Sequence, residues 1–136
     1  MAVHLVSSAE ITRLNETFLH HRGPTDVIAF NYSEANPTRP NLQNFVARAT
    51  KFCTEPTSSS LLHGEIFICP DEAKKQARRF HTTWQSELVR YAIHGLLHLC
   101  GYDDRRAGAR QKMKREESRI LRQISGQLDL ARLGSA

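Results

Sequence analysis

Residues 92 to 104 read AIHGLLHLCGYDD, and this stretch limits the possible folds more than any other. Trp84, Leu88, Tyr91, Ala92 and Leu96 recur at intervals of three and four, the spacing of one face of an amphipathic helix. On that helix His94 and His98 lie one turn apart on the same side, so their rings can approach each other. Gly101 follows where the helix can end in the left-handed conformation, and the chain can reverse sharply there. A carboxylate just past the reversal, Asp104, can then come back to the two rings. The fold has to bury one face of this helix and leave its histidine end open.

The spacing H-x3-H-x2-G-x2-D provides two imidazoles and a carboxylate and leaves a fourth position for water or substrate. That is the pattern of a catalytic zinc site, whereas a structural site closes all four positions. A histidine pair four residues apart is weak evidence alone, and GYDD could be no more than a helix exit; the glycine and carboxylate at the right offsets strengthen the metal reading. The offset favours Asp104 as third ligand, with Asp103 the competitor, since a one-residue shift of the loop would exchange them. Cys100, two residues after His98, points to another face. One Zn2+ per chain is expected, although nickel, cobalt and iron suit the same ligands.

The chain has 136 residues, enough for one core and too few for two. Its three cysteines, Cys53, Cys69 and Cys100, are far apart and suggest buried thiols, neither a disulfide framework nor a cysteine zinc knuckle. No apolar run approaches a membrane span, and the opening MAVHLVSSAE lacks the pattern of a signal peptide, so a cytoplasmic protein is expected. The net charge of +5 favours polyanionic partners without naming one.

AVHLV alternates as a short strand, and Ser7 with Glu10 forms a capping box that opens a helix over residues 8 to 19. Gly23 and Pro24 break that helix, and DVIAFNY follows as a strand expected to be central. The proline-rich loop SEANPTRPN, a helix on LQNFVARATKF and the loop CTEPTSSS come next. GEIFIC is another strand, ended by Pro70, after which Asp71 can cap a helix on EAKKQARRF. The long helix opens at Thr82 or Thr83 and runs through His98. A last one covers residues 107 to 124, with Met113, Ile120, Leu121 and Ile124 inward. The tail GSA is expected to fray.

HGLLHLCGYDD closely resembles the H-G-x-L-H-L-x-G-Y-D-H signature of the YbeY family of endoribonucleases, the bacterial ribosomal RNA maturation factors. LNETF with PTDVIAF, HGEIFIC and MKREESRIL resemble three further family segments in the family's order, and together they span residues 14 to 121. The resemblance implies an α+β fold over residues 1 to 136, one domain with a mixed sheet packed by helices and the metal on a late helix and its following turn. It also implies a zinc-dependent, single-strand-specific endoribonuclease that matures the 3′ end of 16S rRNA, serves ribosome quality control, and has ribosomal RNA and the small ribosomal subunit as partners. Three departures stand out. The signature's third histidine is Asp104, the arginine usual before P-T-D-V aligns with Leu19, and the family's leading strand and helix have no counterpart. The segment 41 to 60 is expected to fill the space of that helix.

An aspartate in place of a neutral imidazole lowers the formal charge of the ion and its ligands by one unit, which weakens it as a Lewis acid. Arg22 is the candidate to replace the missing arginine, and Asp26 to act as base or to orient a ligating histidine. Glu65 is a similar candidate. Lys74, Lys75, Arg78 and Arg79 can share a helix face and track phosphates, or form an ordinary solvated face. Two other functions compete: a ribosome- or RNA-associated binding protein with a structural or weakly active metal, and a zincin-like metallopeptidase. Gly95 argues against the peptidase, because zincins place their general-base glutamate at that position.

Overall fold

The computed structural model describes residues 1 to 32 and 63 to 134. Three strands form one sheet in the order β1 (Ala2–Leu5), β3 (Gly64–Ile68), β2 (Val27–Asn31). β1 runs parallel to β3, with Ala2 opposite Glu65, and β2 runs antiparallel, with Val27 opposite Ile68. The sheet is therefore mixed, as expected. β2 is not the central strand: among the described residues it forms an edge and β3 takes the middle. Pairing decides this, because β3 bonds to β1 on one side and to β2 on the other, and Gly64, Ile66 and Ile68 of β3 are all buried, whereas only Ile28 of β2 is.

Successive residues serve opposite faces of the sheet. Phe67, Ile28 and Phe30 pack with Ile11 and Leu14 of α1 (Ser8–Leu14). On the other face Ile66, Ile68, Val27 and Ala29 pack with Ala73 of α2 (Pro70–Phe80) and with Tyr91 and Leu99 of α3 (Trp84–Leu99). A second core joins Ile93 and Leu97 of α3 to Met113 and Leu121 of α4 (Ala107–Gln127), closed by Leu130 from a 3-10 turn at Leu130–Arg132. α3 thus lies between the sheet and α4. This is the α+β arrangement expected.

The capping box forms in full: Ser7 Oγ accepts from Glu10 N–H, and Glu10 Oε2 accepts from Ser7 N–H. The helix it opens ends earlier than residue 19. From Asn15 to Leu19 the turn widens into π geometry and His20 closes it at φ 56°. Buried Asn15 explains the change, since its Nδ2 donates to Gly23 O at 2.9 Å and ties the helix end to the following loop. α2 starts one residue before the expected cap, with Cys69 as N-cap and Pro70 in the first turn, a position that needs no N–H. α4 runs three residues further than expected. The segment 41 to 60, its flanking loops and Cys53 lie outside the described residues, and among those described no helix is long and apolar enough to cross a membrane.

Candidate metal centre

Gly101 sits at φ 92°, and the exit of α3 closes with Gly101 N–H donating to His98 O at 3.0 Å and Tyr102 N–H to Leu97 O at 2.9 Å. Those two bonds are the Schellman arrangement, which requires a residue in the left-handed region and favours glycine there. The reversal delivers Asp104 to the histidine face. Nε2 of His94 and Nε2 of His98 are 3.1 Å apart, and Asp104 Oδ2 is 3.8 Å from each.

The far side of each ring is committed. His94 Nδ1 lies 3.0 Å from Glu117 Oε2, and His98 Nδ1 lies 3.1 Å from Tyr102 O. A carboxylate and a carbonyl can only accept, so each Nδ1 carries the proton and each Nε2 presents a lone pair inward. Two lone pairs and a carboxylate oxygen facing one another at these distances are a donor set without a donor hydrogen between them, and a divalent cation satisfies all three. The residues therefore fit the metal that the spacing suggests. Asp103 takes a different part: its Oδ1 accepts Arg105 N–H at 3.1 Å and shapes the turn. Among the described residues the cluster with metal-ligand geometry is His94, His98 and Asp104, within 4.8 Å of one another.

The two histidines differ electrostatically. Burial opposes the charged form of His94 more than any other single influence, yet the hydrogen bond and charge of Glu117, aided by Asp26 and Asp104, raise its pKa overall. His98 is pushed below the ordinary value by burial first and by the neighbouring His94 second. Burial works against ionised Glu117, but His94 and Arg90, whose Nη1 is 3.2 Å from Oε1, together hold its carboxyl below the usual range. Glu117 stays an anion and keeps its acceptor role.

A cavity of about 230 Å³ opens beside the donors, lined by Asp26, Arg90, Tyr91, Asp104, Arg110, Lys114 and Glu117 among others. Asp26 comes from the loop before β2; its Oδ1 accepts Val27 N–H at 2.9 Å and the Thr25 hydroxyl at 3.2 Å. Among the described residues Glu117, not Asp26, is the carboxylate hydrogen-bonded to a histidine of the trio. Arg22 is exposed on the same loop and is not among the residues that line the cavity. Glu65 is engaged elsewhere, between His4 at 3.0 Å and the Tyr32 hydroxyl at 2.7 Å.

The four basic residues of α2 have different neighbours. Lys75 is 2.6 Å from Glu72 and Lys74 is 3.9 Å from Asp71, while Arg79 lies over the Phe80 ring. Lys74 and Arg78 line a separate open cleft with Thr83 and Trp84. Arg90, Tyr91, Arg110, Lys114 and Glu117 were not singled out from the sequence as site residues. One signal was present, since Glu117 is a carboxylate at helical spacing among inward-facing Met113, Ile120 and Leu121.

Gly95 also has a structural reason. A Cβ there would lie 2.7 Å from Ile66 Cγ2 and 3.3 Å from Val27 Cγ2, so the residue after the first histidine faces the sheet. A glutamate at this position would point into the core, away from the cavity.

A family model described as Endoribonuclease YbeY matches residues 1 to 125. The chain belongs to the YbeY family. A relative from Acidothermus cellulolyticus named Endoribonuclease YbeY is 31% identical over 121 residues, which cover 89% of this chain and 68% of that one. One of the same name from Parabacteroides distasonis is 33% identical over 115 residues, covering 85% and 64%. The chain thus matches about two thirds of the length of these relatives. A solution structure from Thermotoga maritima aligns with a TM-score of 0.54 at 29% identity, over 92% of this chain and 67% of that one.

Proposed function

We propose that this YbeY chain is a zinc-dependent, single-strand-specific endoribonuclease that acts on ribosomal RNA, at the 3′ end of 16S rRNA, in ribosome maturation and quality control, with the small ribosomal subunit as partner. The observation that carries the reading is the inward-facing trio of His94 Nε2, His98 Nε2 and Asp104 Oδ2 at the wall of a cavity that also presents Arg90, Arg110 and Lys114. Zinc held by that trio would supply Lewis-acid polarisation of a phosphoryl oxygen. The chain's own cations do the rest of the electrostatic work. Arg110 is anchored through Nε to Asp104 O at 2.9 Å, which places its guanidinium beside the ligand, and Lys114 lies one turn further along α4. Both are exposed, so they can grip a phosphodiester that enters from solvent and stabilise the added charge of its transition state. They offset the arginine that Leu19 replaces, and Arg22 is left to contact RNA outside the cavity. Asp26 is the proton acceptor we assign, and the α2 residues Lys74, Lys75, Arg78 and Arg79 would track the strand beyond the site.

The test incubates purified, zinc-titrated protein with a structured 16S 3′-end RNA and with casein, beside a His94→Ala, His98→Ala variant. RNA cutting by the wild type alone is expected. Cutting that survives in the variant overturns the metal-nuclease reading, cutting of casein favours the peptidase, and RNA binding without cutting favours the binding protein. A 2′,3′-cyclic phosphate on the product would mark attack by the RNA's own hydroxyl, and a 5′-phosphate attack by water. Elemental analysis of the protein as purified identifies the metal.

A further inference from the structure

The Tyr91 side chain is buried to 5% exposure with its ring in the core against Ile66, Ile68 and Ala73, yet it lines the metal-side cavity and its hydroxyl has no hydrogen-bond partner. A buried hydroxyl is almost always paired, so one closed to solvent yet unpaired, in a residue that lines the cavity, points to a partner that arrives from outside. Tyr91 stands one turn before His94 on α3, which fixes it beside the ligands. Asp26 lines the same cavity; its Oδ1 is taken by Val27 N–H and Thr25, and Oδ2 accepts no bond from a described residue. Among the described residues the cavity therefore offers one hydroxyl and one carboxylate oxygen without a hydrogen-bond partner.

We infer that Tyr91 and Asp26 together read the ribose 2′-hydroxyl of the nucleotide at the metal site, Tyr91 donating to its oxygen and Asp26 accepting its hydrogen. The chemistry matches because the 2′-hydroxyl both donates and accepts, and it is the group that separates RNA from DNA at a given position. A phosphate would satisfy Tyr91 but be repelled by Asp26, and a base amine would satisfy Asp26 but leave Tyr91 open. Burial first, then the charge of Asp26, pushes the Tyr91 phenol well above its ordinary pKa, so it remains a donor throughout the physiological range. The inference deepens the nuclease reading and rests on it.

The test compares wild type with Tyr91→Phe, binding fluorescent strands of one sequence as RNA, DNA and 2′-fluoro RNA, with anisotropy read by stopped flow before any cutting. Wild type is expected to prefer RNA over both others by about thirtyfold or more, as one charge-assisted and one neutral hydrogen bond would give. Tyr91→Phe should weaken only RNA binding, reducing the preference by about two- to tenfold, with Tm unchanged or raised because a buried unpaired hydroxyl has been removed. An unchanged RNA preference in Tyr91→Phe overturns the inference, as does a fallen Tm with all three strands weakened equally, which would make the hydroxyl structural. RNA cutting by wild type is measured in parallel: cutting with an unaltered preference sinks this inference alone, and a reduced preference without cutting sinks the nuclease reading alone.

Discussion

Replacing Glu117 with glutamine keeps the shape of the side chain and removes its charge, which makes it a direct test of how the site is organised. The carboxylate accepts from His94 Nδ1 at 3.0 Å through Oε2 and from Arg90 Nη1 at 3.2 Å through Oε1. A glutamine has one acceptor oxygen for these two donors, and its amide nitrogen is forced against the other. If the oxygen stays with Arg90, His94 loses the partner that fixes its tautomer and orientation. Loss of such an outer partner lowers metal affinity by roughly 10- to 100-fold, which is about 1.4–2.7 kcal/mol of binding free energy. Folding should suffer less, by about 1 kcal/mol, because half-exposed Arg90 can turn to solvent and retains Glu87 at 3.7 Å. Zinc affinity is measured by competition with a chromophoric chelator, and stability by calorimetry of the metal-free protein. Arg90→Gln leaves the Glu117 to His94 contact in place and should shift affinity less than fivefold. The reasoning fails if Glu117→Gln binds zinc within twofold of wild type, or if Arg90→Gln costs as much.

Three further outcomes follow from the same geometry. Asp104→Ala should weaken zinc binding at least tenfold and Asp104→His should retain it, while Asp103→Ala, which loses only the bond to Arg105 N–H, should change it less than threefold; equal losses for the two alanines would reassign the third ligand. Gly95→Ala should cost about 1–3 kcal/mol in denaturant unfolding, because its Cβ would press 2.7 Å from Ile66, and a neutral result would mean that the helix and sheet are less tightly joined than described. Glu65 has its pKa lowered by the Tyr32 hydrogen bond first and by His4 second, so its contribution is full above the unfolded carboxylate value and is lost as pH falls through the lowered folded value. Tyr32→Phe should move the Glu65 midpoint towards the ordinary value in an NMR titration and lose its effect on stability in acid; an unmoved midpoint would dismiss the bond.

The parts of the site that were legible in the sequence are those set by local periodicity. His94, His98, Gly101 and Asp104 lie within one helix and one turn, where spacing alone fixes geometry. Cys69 and Ser7 mark how far local rules reach, since the capping box formed as written but the start of α2 moved by two residues. The residues missed were those brought in by tertiary packing. Arg110, Lys114 and Glu117 reach the cavity because α4 folds back along α3, and the spacing of neither helix contains that docking. Tyr91 was read as a core residue, which is right for its ring and incomplete for its hydroxyl. The position of β2 in the sheet depends likewise on which strands meet, and composition does not report that.

The contact of Gly95 with Ile66 and Val27 has an evolutionary consequence. The strand that Val27 begins follows directly on Asp26, so the point where the helix carrying His94 and His98 touches the sheet also sets how far Asp26 stands from the two histidines. Positions 95, 66 and 27 therefore cannot drift independently. A lineage that acquired a larger residue at 95 would need a smaller one at 66 or 27 to keep its site in register, so a change at 95 should be accompanied by a change at one of the other two.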